Sequence, residues 1–126
     1  MGEYMKKILL VDDSDVIATV VTQTLHMHNY EDVLRAKDGE EGLALLKENI
    51  NNIALCIFDV NMPKMDGITL VKEARRIDKT TPIIMLTTET DKSKMITAKE
   101  YGATGWIVKP FDAEKFMKVV EMYLKK

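Results

Sequence analysis

The chain has a single cysteine, Cys56, in 126 residues. One thiol closes no disulfide within the chain. Its place inside the apolar run Leu55-Cys56-Ile57-Phe58 predicts a buried, reduced group and a cytoplasmic protein. Proline is scarce, with three residues, and glycine numbers six, so linker-rich and low-complexity segments are excluded. No apolar run approaches the roughly 20 residues of a membrane span. The opening "MGEYMKKILLVDD" sets two lysines before an apolar stretch, as a secretion signal does. Ile8 to Val11 is too short for one, however, and Asp12-Asp13 stops it. Gly2 is not followed by Ser or Thr at position 6, which argues against myristoylation. An excess of one charge is also missing. Eighteen basic residues face 20 acidic ones, a net charge of -2, so nothing draws the chain globally to nucleic acid or an anionic membrane. The expectation is a soluble monomer with neither partner.

What is present is a core. Apolar residues make up 46% of the chain, enough for one packed domain over residues 1–126 with no output domain. Short apolar runs alternate with longer amphipathic ones. Strands are expected at Ile8–Val11, Asp32–Ala36, Ile53–Phe58, Pro82–Leu86 and Gly105–Val108. The first, third and fourth are continuous and apolar, as central strands covered on both faces are. Helical spacing marks Ile17, Val20, Val21, Thr24 and Leu25 in the first helix. It marks Leu70, Val71, Ala74 and Ile77 in the third, and Phe116, Val119, Val120, Tyr123 and Leu124 in the last. Asp38 to Asn49 is helical by propensity despite Gly42. Asp91 to Tyr101 has only a thin stripe (Met95, Ala98, Tyr101) and is the loosest helix. Five strand–helix units predict an α/β fold, a doubly wound five-stranded parallel sheet of the flavodoxin-like kind. The strand order is 2-1-3-4-5, with a ligand site outside the carboxyl ends of the first and third strands.

The residues due at those ends are chemically unlike the runs before them. The first strand ends in Asp12 and Asp13, the third in Asp59, the fourth in Thr87 and Thr88, the fifth in Lys109. Gathered at one edge, three carboxylates repel one another unless a cation joins them. An all-oxygen ligand set favours a hard ion such as Mg²⁺. With the Lys109 ammonium and the Thr87 hydroxyl, the set describes a cradle for a phosphoryl group, and Asp59 is the central nucleophile. Each acid alone has a plainer role, since Asp12-Asp13-Ser14 can cap the next helix.

The stretches "LLVDDSD", "FDVNMPKMDG", "MLTTE" and "GWIVKPF" resemble the signature of receiver domains of two-component response regulators, in order and over nearly the whole chain. The chain is most similar to the single-domain chemotaxis type. The resemblance implies that Asp59 accepts a phosphoryl group from a sensor histidine kinase of the chemotaxis type. It implies Mg²⁺ held by Asp13 directly, by Asp12 largely through water, by Asp59 and by the backbone carbonyl of Asn61. Lys109 would contact the phosphoryl oxygens, with a cis bond to Pro110. Thr87 and the aromatic Trp106 would then switch the face of the fourth helix, fifth strand and fifth helix. That face would bind a target such as a flagellar motor switch protein, and a phosphatase is a further partner. The chain would be a signalling switch that catalyses only its own phosphorylation and dephosphorylation, rather than an enzyme.

Two positions depart from the common pattern. Trp106 stands where many members have Tyr or Phe, so an inward rotamer needs more room. Thr88 stands where a smaller residue is common and narrows the entry to Asp59. Slower phosphorylation by small donors is expected, relieved in Thr88→Ala. The resemblance to the chemotaxis type implies that Asn61 and Glu89 would flank the phosphoryl position and that the phosphorylated form is short-lived. His26 and His28 fall at the end of the first helix, where the helix dipole favours cations. Met62 and Met65 border the site loop as half-exposed residues. Lys92, Lys94 and Lys118 form a mild basic rim on the switching face. Other readings are a phosphate sink, a single-domain regulator outside chemotaxis, a haloacid-dehalogenase-type phosphatase and an FMN carrier. The phosphatase needs an acid where Asn61 stands. The FMN carrier needs a phosphate cradle where Asp12-Asp13 would repel phosphate.

Overall fold

The computed structural model describes residues 6–88 and 92–124. Five strands alternate with five helices: β1 (Lys7–Val11), α1 (Asp15–Met27), β2 (Val33–Ala36), α2 (Gly39–Glu48), β3 (Ile53–Asp59), α3 (Gly67–Ile77), β4 (Ile83–Thr88), α4 (Lys92–Tyr101), β5 (Gly105–Lys109) and α5 (Ala113–Leu124). All neighbouring strands are parallel, in the order β2-β1-β3-β4-β5. The expected doubly wound α/β fold is the one observed.

The apolar runs are continuous because both faces of the sheet are covered. Alternation splits them between two cores. Leu9, Val11, Cys56, Phe58 and Met85 face one core with Leu46, Leu70, Val71 and Ala98 of α2, α3 and α4. Ile8, Leu10, Leu55, Ile57 and Ile84 face the other with Val21 and Leu25 of α1 and Phe116 and Val120 of α5. Cys56 is buried as expected, and burial pushes its thiol up to about 12. No helix among the described residues is long and apolar enough to cross a membrane.

Several boundaries differ from the sequence reading. Asp59, Thr87, Thr88 and Lys109 belong to the strands rather than following them. Asp59 still pairs with Leu86, and Thr88 with Lys109, so the ladder continues past the change in side-chain chemistry. Asp32 and Pro82 precede their strands, and Lys7 opens β1. In α1 the inward stripe runs through Ala18, Val21, Thr24 and Leu25, while Val20 is exposed. Val20 is one residue, about 100°, off the line joining Ala18, Val21 and Leu25. Ile77, at the end of α3, is also partly exposed. Ala98 is the one fully buried residue of α4, which is thus the loosest of the five helices in packing. Asp91 lies outside the described residues.

His28 is the C-cap of α1, and its Nδ1 donates to the carbonyl of Thr24 at 2.9 Å. His26 lies in the last turn and faces solvent. His28 thus serves the helix end. Beyond α3, Asp78 organises the turn into β4. Its Oδ1 accepts the N–H groups of Thr80 (3.1 Å) and Thr81 (3.0 Å), and its Oδ2 accepts the Thr81 hydroxyl at 2.6 Å. Burial opposes its charge, but the Thr81 and Thr80 bonds together with Arg75 prevail and hold the carboxyl below its usual value. A depressed folded value contributes stability above the unfolded one, lost as pH falls through the folded one. Asp78→Asn should therefore cost about 1 kcal/mol near neutral pH. Urea unfolding should show the gap closing as pH falls below the ordinary carboxylate range.

Candidate functional site

The site is built by the chain leaving β1, β3, β4 and β5 at one edge of the sheet. Val11, buried between neighbours on both sides, is followed by Asp12, which is fully buried, and Asp13, which is exposed. Ser14 caps α1, its hydroxyl accepting the Ile17 N–H at 3.2 Å. Asp12 uses one oxygen locally, Oδ1 accepting the Ser14 N–H at 2.9 Å. Its other oxygen, Oδ2, is buried with no hydrogen-bond partner among the described residues. The cap of α1 is thus Ser14, and Asp12 steadies it with one oxygen while turning the other into the site.

β3 carries Asp59 to the same place, almost completely buried. Lys109, at the end of β5, donates from Nζ to Asp59 Oδ1 at 2.8 Å and lies 3.6 Å from Asp12 Oδ2. Its bond to Pro110 is cis. Oxygens of Asp12, Asp13 and Asp59 lie within 4.8 Å of one another. Burial raises the carboxyl of Asp59 above its usual value; the Lys109 hydrogen bond pulls it down, and the charge of Asp12 pushes it up again. Asp12 is raised too, first by burial, against the Ser14 N–H and the charge of Lys109. One ammonium does not offset this much buried acid.

A small, hard divalent cation fits such a set. The donors are all oxygen, they converge, and the buried Asp12 Oδ2 has no hydrogen-bond donor among the described residues, only the Lys109 ammonium at 3.6 Å. Asp12, Asp13 and Asp59 would hold it.

Thr87, the penultimate residue of β4, is buried, and its hydroxyl donates to the Thr88 carbonyl at 3.1 Å. Thr88 is exposed. Glu89 lies outside the described residues. The loop after β3 turns through Asn61, Pro63 and Lys64, the last with φ 67°. Met62 and Met65 pack partly against the core, as expected for half-exposed residues. Asp66 caps α3 by accepting the Thr69 N–H at 2.8 Å. A Cβ at Gly67 would collide with the carbonyl oxygen of Asp59, so glycine lets α3 start against the end of β3. Trp106, on edge strand β5, is 38% exposed. It lines a groove of about 510 Å³ with Lys92, Met95, Ile96, Lys99 and Glu100 of α4.

Two residues at the site were not assigned to it from the sequence. Lys94 was expected on a rim with Lys92 and Lys118, but its Nζ reaches Asn61 Oδ1 at 2.9 Å, tying the first turn of α4 to the site loop. A helix register, not a motif, decides that. Arg35 of β2 donates to the carbonyl of Asp12 from both Nε (3.1 Å) and Nη2 (2.8 Å). A charged residue inside "VLRA" was the available signal.

Comparison with known proteins agrees with this geometry. Residues 8–121 match the family described as response regulator receiver domain. Chemotaxis protein CheY1 of Helicobacter pylori is 42% identical over 120 residues, covering 94% of this chain and 96% of that protein. The CheY homolog of Campylobacter jejuni is 40% identical over 117 residues, 91% of this chain and 89% of that one. The structure of Vibrio cholerae CheY4 superposes with a TM-score of 0.86 at 44% identity, over 95% of this chain and 99% of that chain. The fold, the gathered aspartates with their lysine and these similarities lead to one conclusion: the chain belongs to the response regulator receiver domain family.

Proposed function

We propose that this receiver accepts a phosphoryl group on Asp59 from the phosphohistidine of a sensor kinase, in a Mg²⁺-dependent reaction, and acts as a chemotaxis switch on a target of the flagellar motor kind. The observation that carries the reading is the convergence of Asp12, Asp13 and Asp59 around Lys109. A carboxylate oxygen of Asp59 forms the new bond to phosphorus. The bond from phosphorus to the donor's imidazole nitrogen breaks, and that nitrogen keeps the electron pair. Bound Mg²⁺ supplies positive charge against the phosphoryl oxygens. Asp12, Asp13, Asp59 and the Asn61 carbonyl would hold the ion. Lys109, already 2.8 Å from Asp59, steadies the transferred oxygens. Thr87 turns its hydroxyl toward the new group, and Thr88 narrows the entry.

The signal leaves through α4 and β5. The apolar groove beside Trp106 gives a target somewhere to bind, which favours a switch over a phosphate sink. The chain would work in the cytoplasm, with its phosphatase reaching the mouth near Asn61.

The test is intact-mass measurement after incubation with acetyl phosphate. One phosphoryl group should add in Mg²⁺ and none after chelation. Chelation after labelling should slow the loss of the group. A Mg²⁺-independent adduct, or none at saturating donor, would refute the assignment.

A further inference from the structure

Arg35 sits at the carboxyl end of edge strand β2, opposite Leu10 in the ladder and therefore on the α1 side of the sheet. It is mostly covered, with 23% of its side chain exposed. Its guanidinium forks. Nε and Nη2 converge on the carbonyl oxygen of Asp12, and Nη1 meets Asp15 Oδ1 at 3.0 Å in the first turn of α1. That carbonyl belongs to the peptide unit between Asp12 and Asp13. Holding it fixes the plane from which the backbone leads into Asp13, and so the direction of the Asp13 side chain. The same guanidinium grips Asp15, the first residue of α1, so the short β1–α1 connection is fastened on both sides of Asp13.

We infer that Arg35 is a positioning residue for the divalent-cation site, acting through the Asp12–Asp13 peptide rather than by touching the ion. The inference rests on the cation site described above. Outer residues that orient metal ligands commonly matter about tenfold or more in metal affinity. A planar fork delivering two bonds to one carbonyl and a third to a carboxylate is a geometry lysine does not reproduce.

Charge and position predict opposite signs here, which makes the idea testable. A fixed cation near a metal site repels the metal, so deleting Arg35 would tighten binding if its charge were what mattered. If it positions the acids, deleting it loosens binding. The experiment is calorimetric titration of the full chain with MgCl₂, beside thermal unfolding in metal-free buffer. The expected result is Mg²⁺ affinity about tenfold weaker in Arg35→Ala. Arg35→Lys, which keeps the charge but not the fork, should also be weakened. Arg35→Gln keeps length and polarity and serves if the alanine variant does not fold. A purely structural role would lower the unfolding midpoint and leave the affinity of the folded protein unchanged. Unchanged or tighter Mg²⁺ binding in a folded variant overturns the inference alone. Failure of wild type to bind Mg²⁺ overturns the site itself, and the inference with it.

Discussion

Asp59→Asn should take up no phosphoryl group from any donor and still unfold at a higher temperature than wild type in metal-free buffer. The first half follows from chemistry, since a carboxamide is not a nucleophile of this kind. The second follows from where Asp59 lies. Its carboxyl is raised by burial and by Asp12, and the Lys109 hydrogen bond recovers only part of the difference. A carboxyl whose folded value lies above its unfolded one favours the fold when protonated and opposes it when charged. Near neutral pH the charge therefore costs stability, and the neutral isostere removes that cost while still accepting from Lys109. The gain should be on the order of 1 kcal/mol, or about 3–5 °C in a domain of this size. It should shrink as pH falls and wild-type Asp59 protonates. Mg²⁺ should close the gap from the other side, because an ion that binds the folded state raises its stability, and wild type should bind it better. Thermal unfolding at two pH values, with and without Mg²⁺, checks each arm. A variant less stable than wild type in metal-free neutral buffer would show that the buried charge is not a net cost.

Lys109→Ala acts in the opposite direction. The ammonium stands 2.8 Å from Asp59 and 3.6 Å from Asp12, and it is the cation paired with both. Without it, two buried carboxylates face each other uncompensated. Breaking a buried pair from one side is among the more destabilising single changes. Because Lys109 is 21% exposed, roughly 2–3 kcal/mol is expected near neutral pH rather than the full value for a dry interior. Acidification or Mg²⁺ should return much of the loss, since either neutralises what Lys109 neutralised. The double variant Lys109→Ala, Asp59→Asn should be more stable than the sum of the single changes predicts, because the second change removes one of the stranded charges. Strict additivity in denaturant unfolding would mean that the ammonium and the carboxylate are not coupled. The same single variant should lose the Trp106 fluorescence response to beryllofluoride, a phosphoryl mimic, since one end of the contact is gone.

These two residues also show how much could be read beforehand. Asp59 and Lys109 are legible because each interrupts an apolar run with a charge, and a parallel sheet of known order sends such interruptions to one edge. Asp12-Asp13 is legible for the same reason. The strand ends were misplaced by one or two residues, because backbone pairing does not stop where side-chain polarity begins. Helical spacing of apolar residues places Val20 on the buried face. Only the helix phase relative to the sheet puts Ala18 there in its place. Lys94 looked like one of several surface lysines, and its contact with Asn61 depends on how α4 rests against the β3–α3 loop.

The order of apolar runs and their turn residues determined the doubly wound sheet, since period and run length set element type and right-handed crossovers leave few arrangements. It also marked which residues gather at one edge of the sheet, because a charge at the end of a buried apolar strand stands apart from the core before it. The tertiary structure decided what those residues do to one another. The two oxygens of Asp12 have different neighbours, one the N–H of Ser14 and the other the Lys109 ammonium at 3.6 Å. Lys109 leans closer to Asp59 than to Asp12. Arg35, 23 positions from Asp12, holds its carbonyl. Contacts of 2.8 to 3.6 Å between groups far apart in the chain arise from packing, and local sequence pattern carries no record of them.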